Sequence, residues 1–251
     1  MVSCLMGNST ALASAIVRCC PYIMKEVIFL HRSKQMSDSM LLGVVLTLAG
    51  GFQDAYSYNG RGGVFANAQT GNIVLLGQNL ALGEWGKALH YLFPLLSFLL
   101  GVFAAEWIRS LCERVHVLHW RQVILLLEIA LLAAAGFFPE TMNTPANVLL
   151  SFACAMQVES FRKFRGIPCA TTMCIGNMRS ATEHLYHYLR THDPEQKRRS
   201  AHYYFIILIF AVGAATGALF TMTLGRGAIW IAAFLLLIGF VLMFLKEEQE
   251  A

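Results

Sequence analysis

Apolar residues gather along this chain into long runs, the clearest being Leu41 to Gly51, Val123 to Phe138, Phe205 to Phe220 and Ile229 to Leu245. Most of these runs carry no charge over the width of a bilayer core, which a helix of about 20 mostly apolar residues can cross. Extended to their polar borders, the runs predict six transmembrane helices at roughly 41–58, 91–108, 122–138, 146–164, 203–222 and 228–245. Two segments between them are only moderately apolar and open with Gly, Asn, Thr and Ser, at Asn59 to Leu80 and Arg165 to Leu189. Each is read either as a further span or as a re-entrant hairpin.

Loop charge arbitrates, because Lys and Arg in short loops favour the cytoplasmic side. The basic loops contain Arg109, Arg114 and Arg121, then Arg162, Lys163 and Arg165, then Arg190, Lys197, Arg198 and Arg199, whereas residues 139–145 carry no Lys or Arg. If both ambiguous segments dip in and return, a cytoplasmic N-terminus puts all three basic clusters inside, together with Lys25, Arg32 and Lys34. If both cross, the pattern is reversed for the first two clusters. The sequence therefore predicts six full spans and two re-entrant half-helices, with both termini cytoplasmic. Gly60, Gly62 and Gly63 let the first half-segment enter as irregular backbone, and Gly166 and Pro168 do the same in the second. Helix is expected to start near Ala68 to Thr70 and near Thr171 to Met173.

The two segments also resemble each other. Gln53 through Gly71-Asn72 runs parallel to Gln157 through Gly176-Asn177, bringing Asp54 opposite Glu159, and Tyr91, Phe93 and Gly101 match Tyr203, Phe205 and Gly213. This reads as a duplicated unit of span, re-entrant segment, span, span. The predicted organisation is an N-terminal segment 1–38 of undefined structure, repeat 1 at 39–138 and repeat 2 at 146–246, all within one membrane domain. Three spans per unit is odd, so the second copy enters from the opposite side and the repeat is inverted. Inverted repeats with broken helices recur in secondary transporters, which bind their solute near the midplane where the copies meet.

Composition agrees with a lipid environment: 57% of the 251 residues are hydrophobic and 14% charged, against about 45–50% and 25% in soluble domains. The fold class expected is all-α, a polytopic membrane bundle. The seven cysteines (Cys4, Cys19, Cys20, Cys112, Cys154, Cys169, Cys174) lack ligand-like spacing and read as small buried hydrophobes or free thiols. Adjacent Cys19 and Cys20 alone carry little weight as a lipidation site. No basic patch interleaved with aromatics suggests a nucleic-acid partner.

Two half-helix N-termini meeting at mid-depth would present free N–H groups and the positive ends of two dipoles, favouring an anion or an electron-rich polar group. Asn67, Gln69, Thr70, Asn72, Thr171, Thr172 and Asn177 supply neutral hydrogen-bonding side chains around that point and are the candidate solute-binding residues. They serve equally as caps and interhelical glue. Asp54, Glu106, Glu128, Glu159 and Arg179 lie in or beside apolar segments, where ionisable groups usually face a cavity or a partner. Asp54, read as ending the first span, is the leading coupling or gating candidate, with Glu159 its counterpart. The competing reading pairs Asp54 permanently with Arg61 or Arg179. Glu106 reads as structural beside Arg109, and Glu128 has no counterpart in the second copy. His184 and His187 share a helical face without a matched carboxylate, which suits an interfacial pair better than a metal site.

No nucleophile elbow, zinc-protease helix, phosphate-cradling loop or dinucleotide fingerprint occurs, so neither an enzyme nor a bound cofactor or metal is expected. The residues Gly50-Gly51-Phe52-Gln53-Asp54-Ala55-Tyr56-Ser57-Tyr58, Gly62 through Phe65 and Ala68-Gln69-Thr70-Gly71-Asn72 carry a likeness. So do Ala155-Met156-Gln157, Phe161-Arg162-Lys163 and Thr171-Thr172 through Gly176-Asn177. Over about 40–245 the chain resembles the YoaK family of bacterial integral membrane proteins, domain of unknown function 1275. The resemblance implies a multi-pass protein of the bacterial cytoplasmic membrane with no established substrate. Relatives often carry an amide where this chain has Glu159, so the resemblance implies no shared coupling role there.

The functional expectation is a secondary transporter of a small polar or anionic solute, with a non-transporting scaffold or regulatory protein as the alternative. Its partners would be the lipid bilayer and the solute, with homo-oligomerisation left open.

Overall fold

The computed structural model describes residues 39–112, 119–164 and 166–244. The expected N-terminal segment 1–38, with Cys4, Cys19 and Cys20, lies outside the described residues, as do Arg114, Arg165 and the end of repeat 2 at 246.

The architecture is all-α, apart from one two-residue ribbon. Helix α1 (Met40–Gly60) starts on Ser39, whose side chain accepts from the Leu42 N–H at 3.2 Å, as a serine N-cap does. There follow α2 (Gln69–Ala81), α3 (Trp85–Cys112), α4 (Trp120–Ala135), α5 (Asn143–Ser160), α6 (Cys174–Thr191), α7 (Pro194–Leu224) and α8 (Ile229–Leu242). Short 3₁₀ turns precede α5 and α8, and Lys163–Phe164 pairs antiparallel with Ile167–Pro168. α7 begins on Pro194 behind Asp193, whose carboxylate accepts from the Glu195 N–H at 3.0 Å, the position where proline's missing N–H costs least.

Two helical segments, Trp85–Cys112 and Pro194–Leu242, are long and apolar enough to cross a membrane. Large apolar side chains also face outward: Phe103 is 70% exposed, Leu219 65% and Phe234 61%. Monomeric soluble proteins rarely leave extended apolar surface of this kind uncovered.

Helix packing pairs off by halves. α1 packs on α7 and α5 on α3; α2 packs on α3 and α6 on α7; α4 rests on α5 and α8 on α1, while α4 and α8 touch each other. The closest crossings match as well. A Cβ at Gly101 of α3 would run into the Phe152 carbonyl oxygen of α5, and one at Gly213 of α7 into the Leu48 carbonyl oxygen of α1. Leu48 and Phe152 are themselves equivalent under the Gln53–Gln157 alignment. Small residues let backbones approach this closely without a side chain between them.

α1 and α5 run antiparallel. Asn147 near the start of α5 donates to the Arg61 carbonyl just past the end of α1 (2.8 Å), and Gln157 near the end of α5 donates to the Leu46 carbonyl (3.3 Å). At the Arg61 end the chain turns through Gly62 and Gly63, with φ of 81° and 76°, values that glycine adopts at little cost. It then travels back along α1 until the Asn67 side chain donates to the Gly50 carbonyl (2.9 Å), halfway down that helix. After α2 the chain is again at the Gly62 end, where His90 of α3 reaches the Gly62 carbonyl (3.2 Å) and Thr144 (2.8 Å).

The second inward loop starts near the other end of α1. Phe164 lies where a Cβ on Gly43, near the start of α1, would meet its ring, and the Tyr203 hydroxyl of α7 donates to the Pro168 carbonyl (2.7 Å). Residues 169–173 then lead inward to α6. Several boundaries differ from the sequence reading: the second and fifth expected spans, 91–108 and 203–222, belong to longer helices that begin at Trp85 and Pro194. The fourth expected span stops at Ser160 rather than 164, because Lys163–Phe164 pairs with Ile167–Pro168 as a ribbon instead of continuing the helix. Asp54 does not end its helix, which continues to Gly60.

Candidate functional site

Both inward loops reach the same residue. Asn67 bonds the Gly50 carbonyl, and Thr172 packs its methyl against the Cα of Gly50, where an added Cβ would come within 2.8 Å of it. Asn67 and Thr172 are equivalent positions under the Asn72–Asn177 alignment. The helices that follow start at Gln69 and Cys174, at or within one residue of the expected positions.

The loops are held by a shared device. Asn72 accepts from the Phe65 N–H (3.0 Å) and donates to the Phe65 carbonyl (2.8 Å). Asn177 accepts from the Ala170 N–H (3.4 Å) and donates to the Ala170 carbonyl (2.7 Å). Each asparagine thus replaces a missing strand or helix partner for non-helical backbone, which cannot stay buried unpaired. Gln69 extends the first grip: it donates to the Ala66 carbonyl (2.8 Å) and toward Ser151 of α5 (3.4 Å), and accepts from Asn72 (2.9 Å). Thr171 accepts from Gln157 at 3.0 Å. Thr70 points outward and makes no part of this network.

Asp54 fastens the first loop to α1. Its Oδ1 accepts from the Asn67 N–H at 2.7 Å, a carboxylate set at the entry to α2 where free N–H groups gather. The Ser57 hydroxyl makes a parallel bond from the Ala66 N–H, 3.0 Å. Among the described residues Asp54 has no ion-pair partner. The pairing considered with Arg61 does not occur, because Arg61 is claimed elsewhere. Arg61 is fully buried and donates to the carbonyls of Ala135 (2.8 Å) and Phe138 (2.9 Å) and to the Tyr56 hydroxyl (2.9 Å). Ala135 is the last residue of α4 and Phe138 lies in the turn just after it, at the end where a helix dipole is negative. Arg179 lies exposed on α6.

Glu159 is not the structural double of Asp54. It pairs with Arg162 at the mouth of the second loop, and Arg162 also lies 3.6 Å from Glu106. A cleft of about 290 Å³ opens there, bordered by Glu159, Arg162, Asn177 and Tyr203. At the other end a cleft of about 220 Å³ is bordered by Asn59, Glu140, Thr221 and Arg226. Neither includes the meeting point at Gly50, where Asn67, Asn72, Thr171 and Thr172 are buried. His184 shares its Nδ1 with Gln196 Oε1 at 2.7 Å.

Beside the meeting point lies a second polar group that the sequence reading did not assemble. The Cys154 thiol of α5 donates to Gln53 Oε1 of α1 at 2.9 Å. Glu128 of α4 is the electrostatic neighbour of both. Gln53 is the hydrogen-bonding neighbour of the Glu128 carboxyl, and among the described residues Asn67 Oδ1 and Thr172 Oγ1 are buried without a hydrogen-bond partner. Glu128 was visible in the sequence as an ionisable residue in an apolar run, but lacking a repeat counterpart it had no place in the expected site.

Compared with protein families, the chain matches one model, described as a protein of unknown function, over residues 42–242. The chain belongs to the DUF1275 family. This is the family to which the motifs around Gln53-Asp54 and Gly176-Asn177 pointed, and its model spans both halves of the bundle, from α1 to the end of α8. No curated protein and no solved structure matches this DUF1275 chain.

Proposed function

We propose that this protein is a multi-pass membrane protein with six full spans, two re-entrant half-helices and an inverted repeat, and that it carries a small polar or anionic solute across the membrane. The observation that carries the reading is the convergence of two loops on Gly50 from opposite ends of α1, each followed directly by a helix start. Gly50 lies halfway along α1, so in this reading the two loops turn at mid-depth of the membrane. Irregular backbone at that depth is tolerated where it is buried in protein or lines a cavity. Here it is buried, with polar atoms left over.

In this reading the solute binds among Asn67, Gln69, Asn72, Thr171, Thr172 and Asn177, with Thr70 at its outer edge. The unpartnered Asn67 Oδ1 and Thr172 Oγ1 are the groups waiting for it. Asp54 is the gate, since losing its bond to the Asn67 N–H frees the first loop from α1. Glu159 acts at the outer mouth of the second. The state described is closed between the two clefts, as an occluded intermediate of alternating access would be. The protein then sits in the bacterial cytoplasmic membrane with both termini inside.

The same burial favours a second reading, a scaffold or regulatory protein in which the polar residues only lock the bundle. A thermal-shift screen of small anions, amino acids and nucleobases on purified protein, followed by proteoliposome uptake of any stabilising compound, separates the two. Uptake that Asp54→Asn alters supports transport. The absence of both a stabilising compound and any uptake leaves the scaffold. Single cysteines at Gly83 and Asn143 both labelled from outside the cell support the re-entrant path, and labelling of Gly83 from the cytoplasm overturns it.

A further inference from the structure

We infer that the cleft at the mouth of the second loop is a binding site for a small planar heteroaromatic ring with a hydrogen-bonding edge, held between Arg162 and the first turn of α6. The two halves of the molecule differ at this point. In the first half Phe65 lays its ring over the start of α2, where a Cβ on Gly71 would come within 2.8 Å of it. That ring stacks on Tyr58, with centroids 4.6 Å apart and planes 21° from parallel. In the second half the residue gripped by Asn177 in the place of Phe65 is Ala170. A Cβ on Gly176, the counterpart of Gly71, would meet nothing within 4 Å among the described residues. The space that a side chain fills in one half is open in the other, where it belongs to the cleft of about 290 Å³.

The walls around that space correspond. Tyr203 and Pro168 border the cleft, the tyrosine hydroxyl donating to the proline carbonyl at 2.7 Å. Their counterparts Tyr91 and Gly63 meet in the first half, the hydroxyl 3.9 Å from a Cβ on Gly63. Arg162 follows Gln157 by the same spacing as Tyr58 follows Gln53, so a guanidinium borders the cleft where the first half has the phenol that stacks on Phe65. A guanidinium is planar and stacks on ring faces, as it does on unstacked bases. Glu159 pairs with it, and Glu106 of α3 lies 3.6 Å from the same group. The rim is polar: Glu159 supplies an acceptor and Ser180 a hydroxyl. A flat ring whose edge carries N–H and C=O groups suits these walls, whereas a purely apolar ring would take water from them without replacing its hydrogen bonds. Asn177 borders the cleft while it grips Ala170, so a bound ring lies against the loop that leads to Gly50.

The site rests on the transport reading only for where the ring goes next; its binding test needs no uptake. Thermal midpoints of the purified protein in detergent are measured with uracil, adenine and nicotinamide, and with dihydrouracil, which keeps the polar edge of uracil but not its flat ring. The proteins are wild type, Ala170→Phe, which gives the second half the side chain that fills the first, Arg162→Met, and the control Arg226→Gln in the cleft at the other end. A saturable upward shift is expected from at least one flat ring in wild type and Arg226→Gln, and its loss in Ala170→Phe and Arg162→Met. The site is overturned if no flat ring shifts wild type, if uracil and dihydrouracil raise the midpoint equally, or if Ala170→Phe keeps the shift. Where Ala170→Phe does not fold, Arg162→Met decides in its place. Ring binding without uptake of any solute would sink the transport reading and leave the site standing; uptake of another solute with no ring bound would do the reverse.

Discussion

Asn72 and Asn177, one in each half of the molecule, grip the main chain of the residue seven positions before them with the same pair of bonds, to Phe65 and to Ala170. Both are buried, and both hold the loop that leads inward to Gly50. Replacing either with alanine leaves a buried N–H and a buried carbonyl unpaired. Asn72→Ala and Asn177→Ala should each destabilise the protein by about 1–3 kcal/mol, seen as a lower thermal midpoint in detergent. A variant indistinguishable from wild type would mean that the grip is incidental.

Arg61 joins the first loop to the end of α4 through carbonyls of Ala135 and Phe138. Arg61→Met removes three side-chain hydrogen bonds at once, to the Ala135 and Phe138 carbonyls and the Tyr56 hydroxyl, and should cost about 3 kcal/mol or more. Arg61→Lys keeps the charge but not the planar fork that reaches three partners, so it should recover only part of the loss. Chemical denaturation of the three proteins checks the order.

Glycines in this chain are not interchangeable. Gly213→Ala forces α1 and α7 apart against the Leu48 carbonyl, and Gly101→Ala does the same to α3 and α5 against Phe152. Each should lose about 1–3 kcal/mol, as overpacking does, and show reduced yield of folded protein. Gly77 of α2 has nothing within 4 Å of an added Cβ. Gly77→Ala should be neutral, or stabilising by up to about 1 kcal/mol through helix propensity.

Cys154 is buried at the centre and Cys174 is half-exposed at the start of α6. A small maleimide should modify Cys174 readily and leave Cys154 untouched in the state described here. If the bundle opens during a transport cycle, a compound that binds at Gly50 will change the rate of Cys154 labelling, measured by mass spectrometry. A rate that stays at zero with every compound tested supports the scaffold reading.

The course of the chain was legible from its sequence to a useful depth. Long uncharged runs announced the helices, Gly62-Gly63 and Gly166-Pro168 announced the breaks, and the paired Gly-Asn motifs placed the two inner helix starts to within a residue. These features are local: a segment's average polarity and its turn residues report the surroundings that its own backbone needs. The partners of individual polar side chains were not legible. Arg61 bonds Ala135 from 74 positions away and Cys154 reaches Gln53 across 101, contacts set by how helices cross and rotate rather than by any spacing along the chain. Only the tertiary structure gave Arg61 to the end of α4, put Glu159 on Arg162 and set Glu128 beside Gln53, because where a polar group finds its hydrogen bonds depends on which neighbours packing brings within reach.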